Sequence, residues 1–300
     1  MKAGTIAFMK LALLSDSRLA VVFGDEDQYL PVPEALALAG DTAPVPSTPF
    51  EAALQPAPLQ QRLDRATAIL LETGQLDDLL LPSFTPRLSP LPKPTRILAI
   101  GRNYAEHAKE LGNAVPDEPV VFLKASQSVI GPDQEIQIPD WVGRVDFEGE
   151  LLVVLGKGGK NIDEAAAMAH VVGYTCFNDV TAREKSKALQ SKGHPWFLAK
   201  NLDTFGPLGP HLVTTNELAD PSDLSVQLMV NGELRQNGRT SQMIHSIPTL
   251  IAYLSRWFAL EPGDVIATGT PPGVGPLVVG DLVEVTIEGV GTLRSAVTAL

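Results

Sequence analysis

A single cysteine, Cys176, stands in 300 residues. No internal disulfide can form, and nothing suggests a secreted, disulfide-stapled fold. Long apolar runs are also missing, since no stretch approaches the roughly 18–20 residues that a membrane helix needs. The opening MKAGTIAFMKLALLSDSRLAVVFGDED lacks a convincing cleavage site. Its apolar part reads as two short strands around the turn SDSR. Positive charge is scarce: 23 Lys and Arg face 35 Asp and Glu, for a formal net charge of −12. That balance argues against a nucleic-acid backbone as partner, which calls for a basic face. Small anionic substrates stay open, because a pocket can be locally basic. There is no internal repeat. The hydrophobic fraction of 44% and the length suit a globular chain of one elaborate domain or two. The expectation is a soluble cytoplasmic protein with no nucleic-acid and no membrane partner.

Two parts differ in character. Residues 1–80 read as a small N-terminal unit: two short strands, a proline-containing stretch, and a helix from about Gln60 to Glu72. Leu63, Ala66, Ile69 and Leu70 fall at helical spacing in that helix. Five prolines then crowd LPSFTPRLSPLPKPT, which excludes a helix and predicts a stiff, extended connector over 81–95. The third segment, 96–300, is strand-rich. RILAIG, VVFLKA, LLVVLG and GYTCFNDV read as strands, and LSVQLMVNGELRQ as a hairpin turning at Asn231-Gly232. NIDEAAAMAHVV and the Ser-capped SIPTLIAYLSRWFAL read as helices, and three more strands close the chain. Hairpins mixed with a few crossovers make this β-rich α+β.

Four constellations can carry chemistry. In RVDFEGELLVVLG, Asp146, Glu148 and Glu150 fall at i, i+2 and i+4, on one face if the segment is a strand. With Asp179 from CFNDVTARE they can supply oxygen ligands to a hard cation. The competing reading is solvated acids on an exposed edge, which the apolar run behind them opposes. VVLGKGGKNIDEAAA is a strand, a Gly-rich turn and a helix, with Asp179 placed like a ribose acid. Asn161 replaces the third glycine and the hairpins do not suit a doubly wound sheet. GTPPGVG lacks the ending of a phosphate loop. In YAEHAKE, His107 and Glu110 share a helix face, as an oriented general base would, or they are an exposed polar pair. Lys124 and Lys200 each end an apolar run and either snorkel to solvent or reach into a site. His170, His194, His211 and His245 read as structural, and Cys176 as buried and inert.

Taken in order, AIGRNYAEHAKELG, PVVFLKASQSVIGP, VDFEGELLVVLGKGGKNI, GYTCFNDVTARE, KGHPWFLAKNLDTFGPLGP, VNGELRQNGRTSQMIHSIPTLIAYLS and LEPGDVIATGTPPGVGP resemble the fumarylacetoacetate hydrolase family, the acylpyruvase and 2-oxo-acid hydratase/decarboxylase superfamily. They run in the family's order within a span of about residues 96–297, roughly two thirds of the chain. The resemblance implies an α+β, β-rich fold, a mixed β-roll core of the family's C-terminal type with a small variable N-terminal domain. It also implies a homodimer and an Mg2+ (or Mn2+) site. By the same resemblance Glu148, Glu150 and Asp179 are the metal ligands, and His107 and Glu110 the acid–base dyad on a lid helix. Lys200 assists catalysis, while Lys124, Thr270 and Arg183 line the substrate site. Asp146 falls outside the ligand set. Many relatives read TARD and then Gln where this chain has Glu184 and Ser186, so substrate preference does not carry over.

The reaction expected from this resemblance is hydrolysis of a C–C bond in a 2,4-dioxo acid, through a pyruvate enolate. The same parts suit decarboxylation of oxaloacetate or another 2-oxo dioate, or hydration, isomerisation or tautomerisation of a 2-hydroxy-dienoate. A non-catalytic 2-oxo-acid-binding protein is the alternative from another class.

Overall fold

The computed structural model describes residues 9–24, 28–91, 93–110, 112 and 114–300. Expected features before Met9 and at Leu111 lie outside them. The fold is mixed α+β and strand-rich, with several sheets. At its centre the Gly149–Leu155 strand pairs antiparallel with Val171–Asn178 on one side and Val265–Ala267 on the other. From Val265–Ala267 the sheet continues through Ile97–Gly101, its parallel neighbour, to the edge strand Val120–Lys124. In the other direction it passes through Gly206–Thr214 to Lys10–Leu14, Leu19–Phe23 and Gln28–Pro31. The N-terminal strands therefore extend the same sheet. Even the proline-rich stretch contributes Arg87–Leu88, which pairs with Lys10–Leu14.

Period-two alternation explains why LLVVL is apolar throughout. Leu151, Val153 and Leu155 enter one core with Leu228, Val285 and Leu293 of a second sheet. Leu152 and Val154 enter the opposite core with Leu11, Leu19, Leu63 and Leu70 of the N-terminal unit. The second sheet runs Glu233–Arg239, Ser225–Val230, Leu282–Ile287, Gly291–Ala299 and Ile136–Ile138. Its hairpin turns at Asn231 and Gly232, both at positive φ (52° and 78°), as a two-residue turn of that twist requires. A small third sheet joins Thr181–Ala182, Val145–Phe147 and Gly275–Leu277.

Three expectations shift. The N-terminal helix spans Pro56–Glu72 and starts earlier than Gln60, because prolines fit the first helical turn, where N–H groups have no partner. Leu63, Ala66 and Leu70 are buried, but Ile69 faces solvent. The segment expected as a helix around Asp163 is a 3-10 helix, Glu164–His170. It lacks a side-chain cap, and Val171 is claimed by the next strand, so only a tight, short helix fits. The Ser246-capped helix Ile247–Trp257 forms as expected, its hydroxyl accepting from the Thr249 N–H. No helix among the described residues is long and apolar enough to cross a membrane.

Candidate active site

The expected three-acid strand face does not exist. The chain changes sheets at Glu148: Val145–Phe147 belongs to the small sheet and Gly149–Leu155 to the large one. At the break the Glu148 N–H donates to the Asn178 side chain (2.9 Å), and the Glu148 carbonyl accepts from Asp179 N–H (2.8 Å). This crossover parts the like charges. Asp146 turns to Arg144 (2.6 Å) and Arg183 (2.7 Å). Glu148, Glu150 and Asp179 converge instead, all buried, with one oxygen of each within 4.8 Å of the others.

Gln236 locks the neighbouring loop onto this point. Its carbonyl accepts from Gly149 N–H (2.9 Å) and its amide donates to Thr270 Oγ1 and the Pro271 carbonyl (both 2.7 Å). Thr270 in turn donates to the Gly149 carbonyl at 2.8 Å. The Gly269 N–H reaches Glu150 Oε2 at 2.9 Å. Gly269 sits at φ +99°, and a Cβ there would press on Asn103, so glycine is required twice over.

Neither lysine snorkels. Lys200 Nζ stands 2.7 Å from Glu148 Oε2 and also contacts Asp179 Oδ2. Lys124 Nζ donates to the Lys200 carbonyl and lies 2.8 Å from Asp179 Oδ1, an ion contact without hydrogen-bond geometry. Both are fully buried, so desolvation pushes their pKa values down. For Lys200 the charges of Asp179 and Glu148 overcome it and the net direction is up. For Lys124 burial prevails and the direction is down. Arg183 binds Glu148 as well as Asp146. Against burial, Lys200 and Arg183 hold the Glu148 carboxyl below its ordinary range. Glu150 makes no ion pair among the described residues, and burial, Asp179 and Glu148 together raise it well above that range. One buried carboxyl group is thus left without a counter-charge. The donor set of three convergent carboxylates with an uncompensated member fits a hard divalent cation.

Across the same cavity, the short helix Ala105–Glu110 presents His107. Its Nδ1 lies 3.5 Å from Glu110 Oε2, an ion contact without hydrogen-bond geometry. Burial lowers the His107 pKa, with Glu148 and Glu110 opposing in part. Glu110 accepts from Gly273 N–H at 3.1 Å and so ties the helix to the GTPPGVG loop. At the helix base, Asn103 donates to the carbonyls of His245 (3.0 Å) and Thr268 (2.8 Å) and accepts from His245 N–H.

Every residue expected at the site is thus found around one cavity or bonded to its wall. His107, Glu148, Glu150, Asp179, Arg183, Lys200 and Thr270 line it; Lys124 and Glu110 support lining residues. Asn103, Asn178 and Gln236 escaped sequence reading, as did the cavity-lining Arg102 and Trp196. A polar side chain that braces backbone leaves no periodic or spacing signal. Only the proximity of Asn178 to Asp179 and of Arg102 and Asn103 to the YAEHAKE helix could have drawn attention to them.

A family model described as fumarylacetoacetate (FAA) hydrolase C-terminal matches residues 96–298. Oxaloacetate tautomerase fahd2, mitochondrial, of Xenopus laevis is 45% identical over 217 residues, which covers 70% of this chain and 67% of that protein. Among solved structures, fumarylpyruvate hydrolase from Pseudomonas aeruginosa in complex with Mn2+ and pyruvate aligns with a TM-score of 0.66. It is 36% identical, covering 68% of this chain and 90% of that one. The 2-hydroxyhepta-2,4-diene-1,7-dioate isomerase from Mycobacterium marinum aligns over 97% of this chain and 98% of its own. Its TM-score is 0.72 and its identity 31%.

Proposed function

We propose a reaction on one premise: the chain belongs to the fumarylacetoacetate hydrolase family. It is an enzyme that hydrolyses the C3–C4 bond of a 2,4-dioxo acid, an acylpyruvate, to a carboxylic acid and pyruvate. The observation that carries this reading is the joint lining of one cavity by the buried triad and His107.

Glu148, Glu150 and Asp179 would hold Mg2+ or Mn2+, which when bound supplies a Lewis acid for the 2-oxo acid end of the substrate. His107, oriented by Glu110, takes a proton from water as its oxygen attacks the C4 carbonyl. The C3–C4 bond then breaks, its electron pair passing to C3 and the adjacent carbonyl as pyruvate enolate. The protonated His107 returns a proton to C3, and the new acid leaves as its carboxylate. Lys200, held against Glu148 and Asp179, sets positive charge where the enolate forms, and Lys124 backs it. Arg183 lines the cavity while fixing Glu148. The Glu110–Gly273 bond keeps the Ala105–Glu110 helix over the cavity and excludes bulk water during the reaction.

A second reading, keto–enol tautomerisation of a 2-oxo dioate, draws on the 45% identity to oxaloacetate tautomerase. It uses the same enolate groups but no attacking water. Acylpyruvates and oxaloacetate, each assayed with Mg2+ and with Mn2+, separate the two. Acid release from an acylpyruvate supports hydrolysis; tautomerisation of oxaloacetate without any acylpyruvate cleavage replaces it.

The enzyme works as a cytoplasmic homodimer. Val121 and Leu123 project from the edge strand, 37% and 50% exposed, beside exposed Phe197. An apolar sheet edge of this kind calls for a cover. Light scattering is expected to give twice the chain mass, and Leu123→Glu to halve it. Buried Cys176, its thiol pushed up to about 12 by burial, takes no part.

A further inference from the structure

A second cavity lies where the N-terminal strands join the rest of the central sheet, and it shares no lining residue with the active site. Lys10, Tyr29 and Arg87 reach it from the N-terminal side, and Asp133, His211 and Arg294 from the other. The chain as a whole has 35 acidic and 23 basic residues. This lining inverts that balance, with three cations against Asp133 alone among the described residues. Arg87, whose side chain is only 10% exposed, is held on two sides. Its Nη1 donates to Tyr29 Oη at 2.5 Å and its Nη2 to Asp133 Oδ2 at 2.7 Å. The guanidinium also lies over the Tyr29 ring, 5.4 Å from the centroid. Nε is left buried, with no hydrogen bond among the described residues. Tyr29 Oη, having accepted from Arg87, gives its own proton to His211 Nε2 at 3.0 Å. That ring is neutral, because burial and the charges of Arg87 and Lys10 push its pKa down to about 3. Its proton therefore sits on Nδ1, which meets the Val290 backbone without full hydrogen-bond geometry. Lys10 makes no ion pair among the described residues, although its charge reaches Glu217.

We infer that this cavity is a binding site for a phosphate group, either free phosphate or the ester of a small metabolite, held by Arg87 and Lys10. A buried N–H without a partner is costly. A phosphate oxygen supplies the acceptor that Arg87 Nε lacks, and its charge answers Lys10. Ser83 and Thr292 add hydroxyls on the same walls. Arg294, paired with Glu284 at 2.7 Å, contributes charge and not a free fork. Lys10 and Arg87 belong to the N-terminal part and Thr292 and His211 to the other, so a bound phosphate fastens one to the other. None of this depends on the reaction proposed for the active site.

The test is calorimetry on the full-length protein, in metal-free buffer at constant ionic strength, with inorganic phosphate, glycerol 3-phosphate and citrate as probes. The wild type is expected to bind one of the two phosphate compounds, and that compound should raise its melting temperature by a few degrees, since it binds the folded chain. Tighter binding of glycerol 3-phosphate supports an ester as the ligand; equal or tighter binding of inorganic phosphate supports the free ion. Arg87→Gln should weaken binding by roughly 10–100-fold, the range of a charged hydrogen bond. Lys10→Glu, on a half-buried side chain at the cavity wall, should do the same and serves if Arg87→Gln does not fold. No binding of either phosphate compound by the wild type overturns the assignment, as does binding that survives unchanged in Lys10→Glu. Tighter binding of citrate than of both phosphate compounds overturns the choice of phosphate.

Discussion

The two parts of the chain bury different things. Between Met9 and Leu91 the buried polar side chains are Thr67 and Ser89, with no buried Asp, Glu, Lys, Arg or His among the described residues. Between Arg96 and Leu300 the interior holds Asp146, Glu148, Glu150, Asp179, Lys124, Lys200, Arg183 and His107, clustered at one end of the central sheet. Both parts share one sheet, and they share the core in which Leu63 and Leu70 meet Leu152 and Val154. The first part therefore adds apolar burial that favours folding. The second carries buried charges that cost stability. A site this charged is tolerable because the strand that bears it is packed on both faces.

Substitutions separate the two roles. Asp179→Asn is expected to cut turnover by about 10³-fold or more while leaving the fold in place; near-normal rates would dissolve the contrast. His107→Asn should lose about 10²–10⁴-fold in hydrolysis and keep metal affinity. Because burial holds the His107 pKa below its ordinary value, protonation disables the base only on the acid side. The wild-type rate should therefore be level through neutral pH and fall only on the acid side, below the range of an ordinary histidine. A rate that climbs only above neutrality would remove His107 as the base. In the first part, Leu63→Ala should lower stability by about 2–5 kcal/mol, read by urea denaturation, with turnover per folded molecule unchanged. Glu150→Gln has the smallest effect and the opposite sign. Replacing an unpaired buried carboxyl by an amide should raise the metal-free melting temperature by a few degrees, about 1 kcal/mol. The gain given by added metal should vanish in the same variant.

Much of the fold was legible because buried strands and capped helices leave patterns. The Asn231-Gly232 turn, the Ser246 cap and the run from Leu151 to Leu155 are local signals, and each element stands where they place it. The union of the N-terminal strands with the central sheet was not legible. It depends on Lys10–Leu14 meeting Gly206–Thr214, some 200 residues away, and such pairing has no local signature. At the site, the family resemblance, and not residue types alone, singled out Glu148, Glu150 and Asp179. Alternation alone also pointed to Asp146, which the sheet crossover at Glu148 turns away toward Arg183. The two lysines were ambiguous because a lysine ending an apolar run can face either way. Only the carboxylates of distant strands show which way they turn.

Metal binding measured by calorimetry, on the wild type, Asp179→Asn and Leu63→Ala, addresses the triad most directly. One Mg2+ or Mn2+ per chain is expected to bind the wild type and Leu63→Ala alike, and to lose at least tenfold in affinity in Asp179→Asn. Equal affinity in wild type and Asp179→Asn would contradict a metal centre built from Glu148, Glu150 and Asp179.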